Sequence, residues 1–226
     1  ISSDEINLIL DKNLQFATEA LGDDMQCADD EEEQNGFNPL KFLRRSTLLA
    51  ISYLAYVVIE ESVYLPLKAA LAQAFARDES TLASRDRTLH EKCHRLKHLS
   101  QDAWQIPSKQ ISAVGWDTAI FELKALELQS NPSRGILAIV STAKSIFAEY
   151  EANHLKLSNL GKAEALGADD LVPIFIYVLV QAGLKTPLYN KDLLWSMCHP
   201  SQLYGESGYY LTVYESAVSY IEDFEG

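Results

Sequence analysis

Cysteine is scarce in this 226-residue chain, and the few that occur are scattered. Cys27, Cys93 and Cys198 form neither a metal-binding pair nor the even-numbered framework of a disulfide-rich protein. An odd number of isolated cysteines is typical of a reducing compartment. The pattern therefore excludes the class of small secreted domains held together by disulfides and favours an intracellular protein.

Clusters of positive charge are also missing. The chain carries 19 Lys and Arg residues against 32 Asp and Glu residues, which gives a formal net charge of −13 at pH 7. Because nucleic-acid phosphates are bound by clustered Lys and Arg side chains, this balance excludes a nucleic-acid partner.

Long apolar runs are not evident from the sequence. The longest lie at 47–59 and 171–182, short of the ~20 residues that cross a bilayer. No signal peptide is recognisable, and because the chain opens on Ile1 we expect it to be a piece of a longer protein. These observations predict a soluble, cytoplasmic protein without direct membrane insertion.

One catalytic signature stands out against the absence of phosphate loops and nucleophile elbows. His90-Glu91-x-x-His94 has the spacing of a zinc-binding helix, in which the glutamate activates a water. On the predicted helix 80–99, however, these residues lie opposite the apolar stripe, and His98 is roughly 12 Å along the axis from His90. We expect a solvated helix face, no metal and no cofactor, and keep a zinc hydrolase as an alternative.

Helical periodicity dominates the chain, and no alternating pattern is long enough for a sheet. The sequence predicts an all-α layered helical bundle, divided into an N-terminal helix with an acidic linker (1–36) and a helical domain (37–226). The predicted helices are 6–21, 37–75 with a break near Pro66, 80–99, 118–128, a helix capped by Asn131-Pro132-Ser133, 171–182, 192–197 and 209–224.

Two adjacent acids, Asp169 and Asp170, precede the most apolar of these helices. Asp is a preferred N-cap, and proline is tolerated in the first helical turn, so we place Asp170 at the N-cap and Pro173 at the third helical position. The run after them is apolar on all sides, which predicts the central, buried helix, ended by Gly183. Asp169 is left without a capping role, as a solvated neighbour of the helix dipole or as a functional carboxylate.

The last helix has two unlike faces. Its apolar face carries Tyr210, Leu211, Tyr214, Ala217, Val218 and Ile221. Tyr209, Thr212, Ser216 and Tyr220 fall on the opposite face, where Tyr209 and Thr212, one turn apart, form a surface able to bind a partner.

Together these stretches resemble the vacuolar-protein-sorting-nine domain, the exchange module for endosomal Rab GTPases. The resemblance is carried by Asp169-Asp170-Leu171-Val172-Pro173, then Gly205-Glu206-Ser207-Gly208-Tyr209-Tyr210-Leu211-Thr212, then Ala217-Val218 and Ile221-Glu222. It is strongest over 131–222, looser from about residue 59, and absent from the first three dozen residues.

The resemblance implies a guanine-nucleotide exchange factor that releases GDP without covalent chemistry. Asp169 corresponds to the family's acidic finger, which enters the nucleotide and magnesium site, and Pro173, Tyr209 and Thr212 correspond to docking residues. The implied partner is an early-endosomal Rab GTPase of the Rab-five-like branch, GDP-bound or nucleotide-free, with the exchange factor recruited peripherally to endosomes. A catalytically silent Rab-binding scaffold is the alternative.

Overall fold

Helices form the architecture throughout the part of the chain that the computed structural model describes, which is residues 39–77, 81–129, 131–157 and 166–225. These ranges contain no strand, which confirms the all-α layered bundle. The predicted helix at 6–21 and the acidic linker to residue 36 lie outside the described residues.

The α-helices are numbered here in chain order. They are α1 (Pro39–Ile59), α2 (Leu65–Arg77), α3 (Thr81–Leu96), α4 (Asp117–Ala125), α5 (Pro132–Leu157), α6 (Ala168–Ala182), α7 (Pro187–Met197) and α8 (Gly205–Asp223). Short 3₁₀ turns occur at Gln101–Trp104, Ser108–Gln110, Leu126–Leu128 and Pro200–Gln202.

The centre of the bundle is α6, which packs against α3, α4, α5 and α8. Its apolar residues were predicted to be surrounded, and Leu171, Ile174, Phe175 and Val178 are indeed fully buried. Val172, Pro173 and Tyr177 are only partly buried, so one stripe of α6 remains open. Gly183 ends the helix in the left-handed region, as predicted (φ 60°), and its N–H donates to the Leu179 carbonyl.

α1 and α2 are joined by a π-helical turn, Glu60–Tyr64, and the helix continues through Pro66, where a break was predicted. The N–H of Leu65 donates to the Glu60 carbonyl, five residues back. The wider turn carries Glu60 inwards, where its Oε1 accepts from the N–H of Ser133 at 3.0 Å. The π turn therefore ties the α1–α2 segment to the start of α5.

The apolar length of the α1–α2 segment is greater than the sequence runs suggested. Because the helix continues through the π turn, the segment Ala50–Leu71 is long and apolar enough to cross a membrane, judged by length and composition only. The prediction that no such run exists is therefore wrong for this segment. α6 and α7 reach the same criterion only when counted together across a bend of 119°.

α3 is bound into the bundle by its apolar stripe and by charges at the far end of α8. Leu89, Cys93 and Leu96 are buried, as predicted. Arg85 donates twice to the Glu222 carboxylate, with both N···O distances at 2.9 Å, and Lys92 Nζ donates to the Glu222 carbonyl at 2.8 Å. The helices before and within the region of strongest resemblance thus share one core.

α7 is longer than predicted, because its first turn is capped from a distant part of the chain. Pro187 occupies the start of the helix, where a missing N–H costs nothing. The Asp86 carboxylate on α3 accepts from the N–H groups of Leu188 at 2.7 Å and Tyr189 at 3.1 Å. The helix therefore begins at Pro187 and not near Asp192.

Candidate functional site

The N-terminus of α6 begins three residues earlier than the sequence argument placed it. Gly167, not Asp170, is the N-cap, and its backbone is extended (φ −76°, ψ 162°). Asp170 sits at the third helical position and reaches back, its Oδ2 accepting from the N–H of Gly167 at 3.1 Å. Pro173 consequently lies inside the helix and not in its first turn. The predicted cap residue and the predicted position of the proline are both wrong.

Asp170 nevertheless takes part in the cap and Asp169 does not, as the sequence argument proposed. The Asp170 carboxylate is used in the cap and is half-buried. Asp169 is exposed in the first turn, and within the described residues its carboxylate has no hydrogen-bond or ion-pair partner. One carboxylate is structural, and the other is exposed and has no partner among the described residues, at the end of the helix where the dipole stabilises negative charge.

Pro173 deprives the Asp169 carbonyl of its usual helical hydrogen bond. In a regular helix the N–H of residue 173 would donate to the carbonyl of Asp169, four residues earlier. Proline has no N–H, and its ring crowds that carbonyl. The Asp169 carbonyl is therefore released from the helix ladder, and Pro173 itself stands on the open stripe of α6.

α8 begins at Gly205, four residues before the predicted start, and keeps the predicted faces. Its apolar face, including Leu211, Tyr214 and Ile221, is fully buried. Tyr209 is 42% exposed and Thr212 is exposed on the opposite face. The Thr212 hydroxyl donates to the Gly208 carbonyl at 3.0 Å, which fixes its rotamer.

The first turn of α8 is held by a short polar chain beside Tyr209. The Tyr210 hydroxyl donates to Glu206 Oε1 at 3.1 Å, and Glu206 Oε2 pairs with Lys144 at 3.1 Å. Burial, followed by the Glu206 charge, raises the pKa of Tyr210, so this hydroxyl stays protonated and acts as a donor. The Tyr209 ring stacks at a tilt on that of Tyr210, with centroids 5.4 Å apart, and is thereby oriented.

Position 208 has room only for glycine, which the sequence argument missed. A Cβ built at this position would lie 1.8 Å from the Leu203 carbonyl oxygen, far inside any tolerated contact. The preceding loop crosses the helix at that point, and Gly205 (φ 67°) makes the turn into it. A glycine within the first turn of an otherwise well-formed helix is the signal that could have revealed this close approach.

The two helices with predicted site residues, α6 and α8, pack directly against each other. The Phe175 and Tyr214 rings meet edge to face at the contact, with centroids 6.4 Å apart. Within the described residues, no hydrogen bond or ring contact joins Asp169 to Tyr209 or Thr212. The structure therefore places Asp169 on α6 and Tyr209 and Thr212 on the neighbouring α8, with all three side chains exposed.

The side chains of the His90-Glu91-x-x-His94 motif on α3 lie in different environments. His90 is half-buried, which differs from the fully solvated face expected, and its Nδ1–H donates to the Leu184 carbonyl oxygen at 3.0 Å. Glu91 and His94 are exposed. The described residues contain no group of three side chains placed to hold a metal ion.

Cys198 and His199 are turned to separate contacts. Burial raises the pKa of Cys198 to about 12, and its Sγ lies 3.7 Å from the Pro132 carbonyl oxygen. The His199 ring hydrogen-bonds Ser201 at 2.7 Å and Ser52 at 2.9 Å. The cysteine is thus a protonated core residue, and it does not form a nucleophile–base pair with its neighbour His199.

A cavity of about 580 Å³ lies away from α6 and α8. Its walls come from α2, α3, α7 and the segment that leads into α5, and include Lys68, Asp86, Leu126 and Tyr189. His90 of the histidine motif lines it, whereas Asp169, Pro173, Tyr209 and Thr212 do not. The candidate site is therefore an exposed pair of helix faces, which is the form of a protein-docking surface and not of an enclosed substrate pocket.

This arrangement defines an all-helical domain that presents an exposed carboxylate from its central helix. Residues 116–226 match the model of the vacuolar sorting protein 9 (VPS9) domain, so the chain belongs to the VPS9 family through this segment. The resemblance seen in the sequence over 131–222 is confirmed, and the match extends it back to residue 116.

Three relatives illustrate the family. VPS9 domain-containing protein 1 of Homo sapiens is 30% identical over 180 residues, which cover 73% of this chain and 28% of the relative. Ras and Rab interactor 3 of Homo sapiens is 27% identical over 147 residues, 61% of this chain and 14% of the relative. GTPase-activating protein and VPS9 domain-containing protein 1 of Xenopus laevis is 26% identical over 174 residues, which cover 76% of this chain and 11% of the relative. The chain thus spans between 11% and 28% of the length of these relatives.

Proposed function

We propose that this chain is a guanine-nucleotide exchange factor for a Rab-family small GTPase. The VPS9 domain over 116–226 and the similarity to a protein named as a Ras and Rab interactor support this assignment. The finer proposal is an early-endosomal partner of the Rab-five-like branch, bound while it carries GDP or no nucleotide. The exchange factor acts from the cytoplasm after peripheral recruitment to endosomes.

Asp169 is the proposed catalytic acid. The observation that carries this proposal is the free, exposed carboxylate in the first turn of α6, beside an Asp170 already used in the cap. Inserted into a nucleotide site, such a carboxylate competes with phosphate for the lysine of the phosphate loop and for magnesium, and repels the phosphates. These interactions are strong once water is excluded, and each ~1.4 kcal/mol of barrier is a tenfold change in release rate.

Pro173, Tyr209 and Thr212 are the proposed docking residues. Pro173 lies on the open stripe of α6, and Tyr209 and Thr212 on the exposed face of the adjacent α8. Tyrosine contributes a large contact area at low entropic cost, and the Thr212 hydroxyl, already donating to Gly208, can still accept a hydrogen bond. By releasing the Asp169 carbonyl, Pro173 also gives the first turn of α6 freedom to adjust as the acid enters its target.

The first test is release of a fluorescent GDP analogue from a panel of endosomal Rab GTPases. We expect wild-type chain to accelerate release from at least one member, and Asp169→Asn to lose at least about tenfold of that acceleration with unchanged thermal stability. Asp192→Asn, which removes an equal charge from an exposed position on α7, is the matched control and should keep full activity.

Full activity of Asp169→Asn would reject the finger assignment and leave the exchange function standing. Binding of a Rab by wild-type chain without any acceleration would instead establish the scaffold alternative. A zinc-dependent hydrolysis lost in His94→Ala would replace both.

A further inference from the structure

An unbroken apolar stripe runs along the outer side of α1, the π turn and α2. Its eight members are each between 44% and 60% exposed. The α1–α2 stripe, as defined here, consists of Leu48, Ile51, Leu54, Val58, Ile59, Val63, Leu67 and Leu71. Apart from the adjacent Val58 and Ile59, successive members are three or four residues apart, which keeps them on one side.

A stripe of this size is not typical of a free protein surface. Contiguous exposed apolar patches of large side chains mark surfaces that contact another protein segment or a membrane. Only 17% of the most apolar window in Ala50–Leu71 is buried, so this is not a core helix of the described bundle. The other side of the same segment is anchored by Glu60 on Ser133, so the stripe is held facing outwards.

The charge distribution disfavours a membrane as the cover. Helices that lie on a bilayer are typically rich in Lys and Arg on their polar face. Lys41, Arg44 and Arg45 precede the stripe on α1, but residues 50–71 contain the single base Lys68 against Glu60 and Glu61, and the whole chain carries −13. An anionic membrane surface would repel such a protein.

A complementary stripe exists in the same chain, outside the described residues. A helix over 6–21 would place Ile6, Ile9, Leu10, Leu14, Phe16 and Ala17 on one side, and its other side, apart from Leu8, would be polar. A helix of this length extends about 24 Å, against about 36 Å for the stretch from Leu48 to Leu71. Isolated helices this short are marginal in water and are stabilised by packing an apolar face.

The linker at 22–38, between the two apolar stripes, is long enough to join them and carries negative charge. Residues 22–38 can extend to roughly 55 Å, which is enough to return a helix to any part of the stripe from Pro39. The linker is acidic and directly precedes the N-terminus of α1, where negative charge is favourable. The sequence of α1 then supplies Lys41, Arg44 and Arg45 close by.

We propose that residues 6–21 form a helix that packs along the α1–α2 stripe of the same molecule. The N-terminal segment is then the cover of an otherwise exposed face. This assignment concerns α1 and α2 and does not rest on the exchange function.

Hydrogen–deuterium exchange of the full 226-residue chain tests the packing. Leu10→Glu/Leu14→Glu should release the stripe and speed amide exchange over 48–71 by about tenfold. Gln15→Glu/Thr18→Glu adds the same charge on the polar side of the predicted helix and should leave that exchange unchanged. The reciprocal pair Leu54→Glu/Val58→Glu should speed exchange over 6–21 to a similar extent.

Three results would overturn the proposal. The first is identical exchange over 48–71 in wild type and in Leu10→Glu/Leu14→Glu. The second is a concentration-dependent dimer, detected by light scattering, in which amide exchange over 48–71 speeds up when the dimer dissociates and not in Leu10→Glu/Leu14→Glu. A second copy of the chain would then be the cover. The third is protection of 48–71 only on vesicles of phosphatidylcholine and phosphatidylserine, which would make a lipid surface the cover.

Discussion

At the scale of single residues, Gly208 is the most constrained position near the candidate site. The Leu203 carbonyl occupies the space where a Cβ would stand. A backbone oxygen cannot move aside as a flexible side chain can, so any larger residue must displace the loop that precedes α8.

Gly208→Ala should therefore lower the free energy of unfolding by about 3 kcal/mol, measured by urea titration. Gly135→Ala is the matched contrast, because the nearest atom to its added Cβ is the movable Cδ2 of Leu194 at 2.9 Å. We expect the Gly135 variant to lose clearly less stability. Equal losses in the two variants would show that the loop before α8 yields more easily than its geometry implies.

At the scale of helices, the cap of α7 links two elements far apart in the chain. Asp86 and Leu188 are 102 residues apart in sequence, yet their 2.7 Å hydrogen bond defines where α7 starts. Burial outweighs the two backbone hydrogen bonds and raises the pKa of Asp86 to about 6. The folded state therefore binds this proton more tightly than the unfolded state, whose Asp has a pKa near 3.9.

The sign of the pH dependence follows directly. Because the folded pKa is the higher one, the contribution of Asp86 to stability falls as pH rises from about 4 to about 6. Relative to the non-titrating Asp86→Asn, wild type should lose about 3 kcal/mol across that window. Urea unfolding of both proteins at pH 4, 5, 6 and 7 measures the difference, and a constant difference would contradict the raised pKa.

Helix positions could be predicted from the sequence where the signal was local. The two faces of α8 and the buried centre of α6 follow from periodicity, and Asn131 caps α5 as expected, accepting from the N–H of Arg134 at 3.0 Å. The start of α6 was misplaced because Gly167 has no side chain to mark it as a cap. The start of α7 could not be found, since its capping carboxylate lies on another helix.

The site was predictable to a similar degree. The sequence singled out Asp169 as the acid without a structural task, and the described contacts leave it in that state by a different route, with Asp170 at the third helical position. The roles of Asp169, Pro173, Tyr209 and Thr212 stay predictions. The contact of Gly208 with the Leu203 carbonyl depends on the path of a loop, which no periodicity encodes.

At the scale of the whole molecule, docking can be tested with two tyrosines on one helix. Tyr209 and Tyr220 of α8 are similarly exposed, at 42% and 38%. Tyr209→Ala should weaken binding to the responsive Rab at least about tenfold, because only Tyr209 lies in the proposed docking row.

Tyr220→Ala should bind with wild-type affinity in the same calorimetric titration. Near-UV circular dichroism of the two variants serves as the check on folding. An equal loss of affinity in both would move the docking surface towards the C-terminal half of α8, and no loss in either would remove it from this helix.

The anchoring of α3 on Glu222 has a consequence for how the domain can be cut. The family match begins at residue 116, yet Leu89, Cys93 and Leu96 of α3 belong to the core formed by the matched helices. Expression of 116–226 alone would strip this layer away, uncover apolar faces of α6 and α8, and leave α7 without the Asp86 cap. The smallest unit that closes its own core therefore starts no later than Thr81, and the segment matched by the family model is shorter than this folding unit.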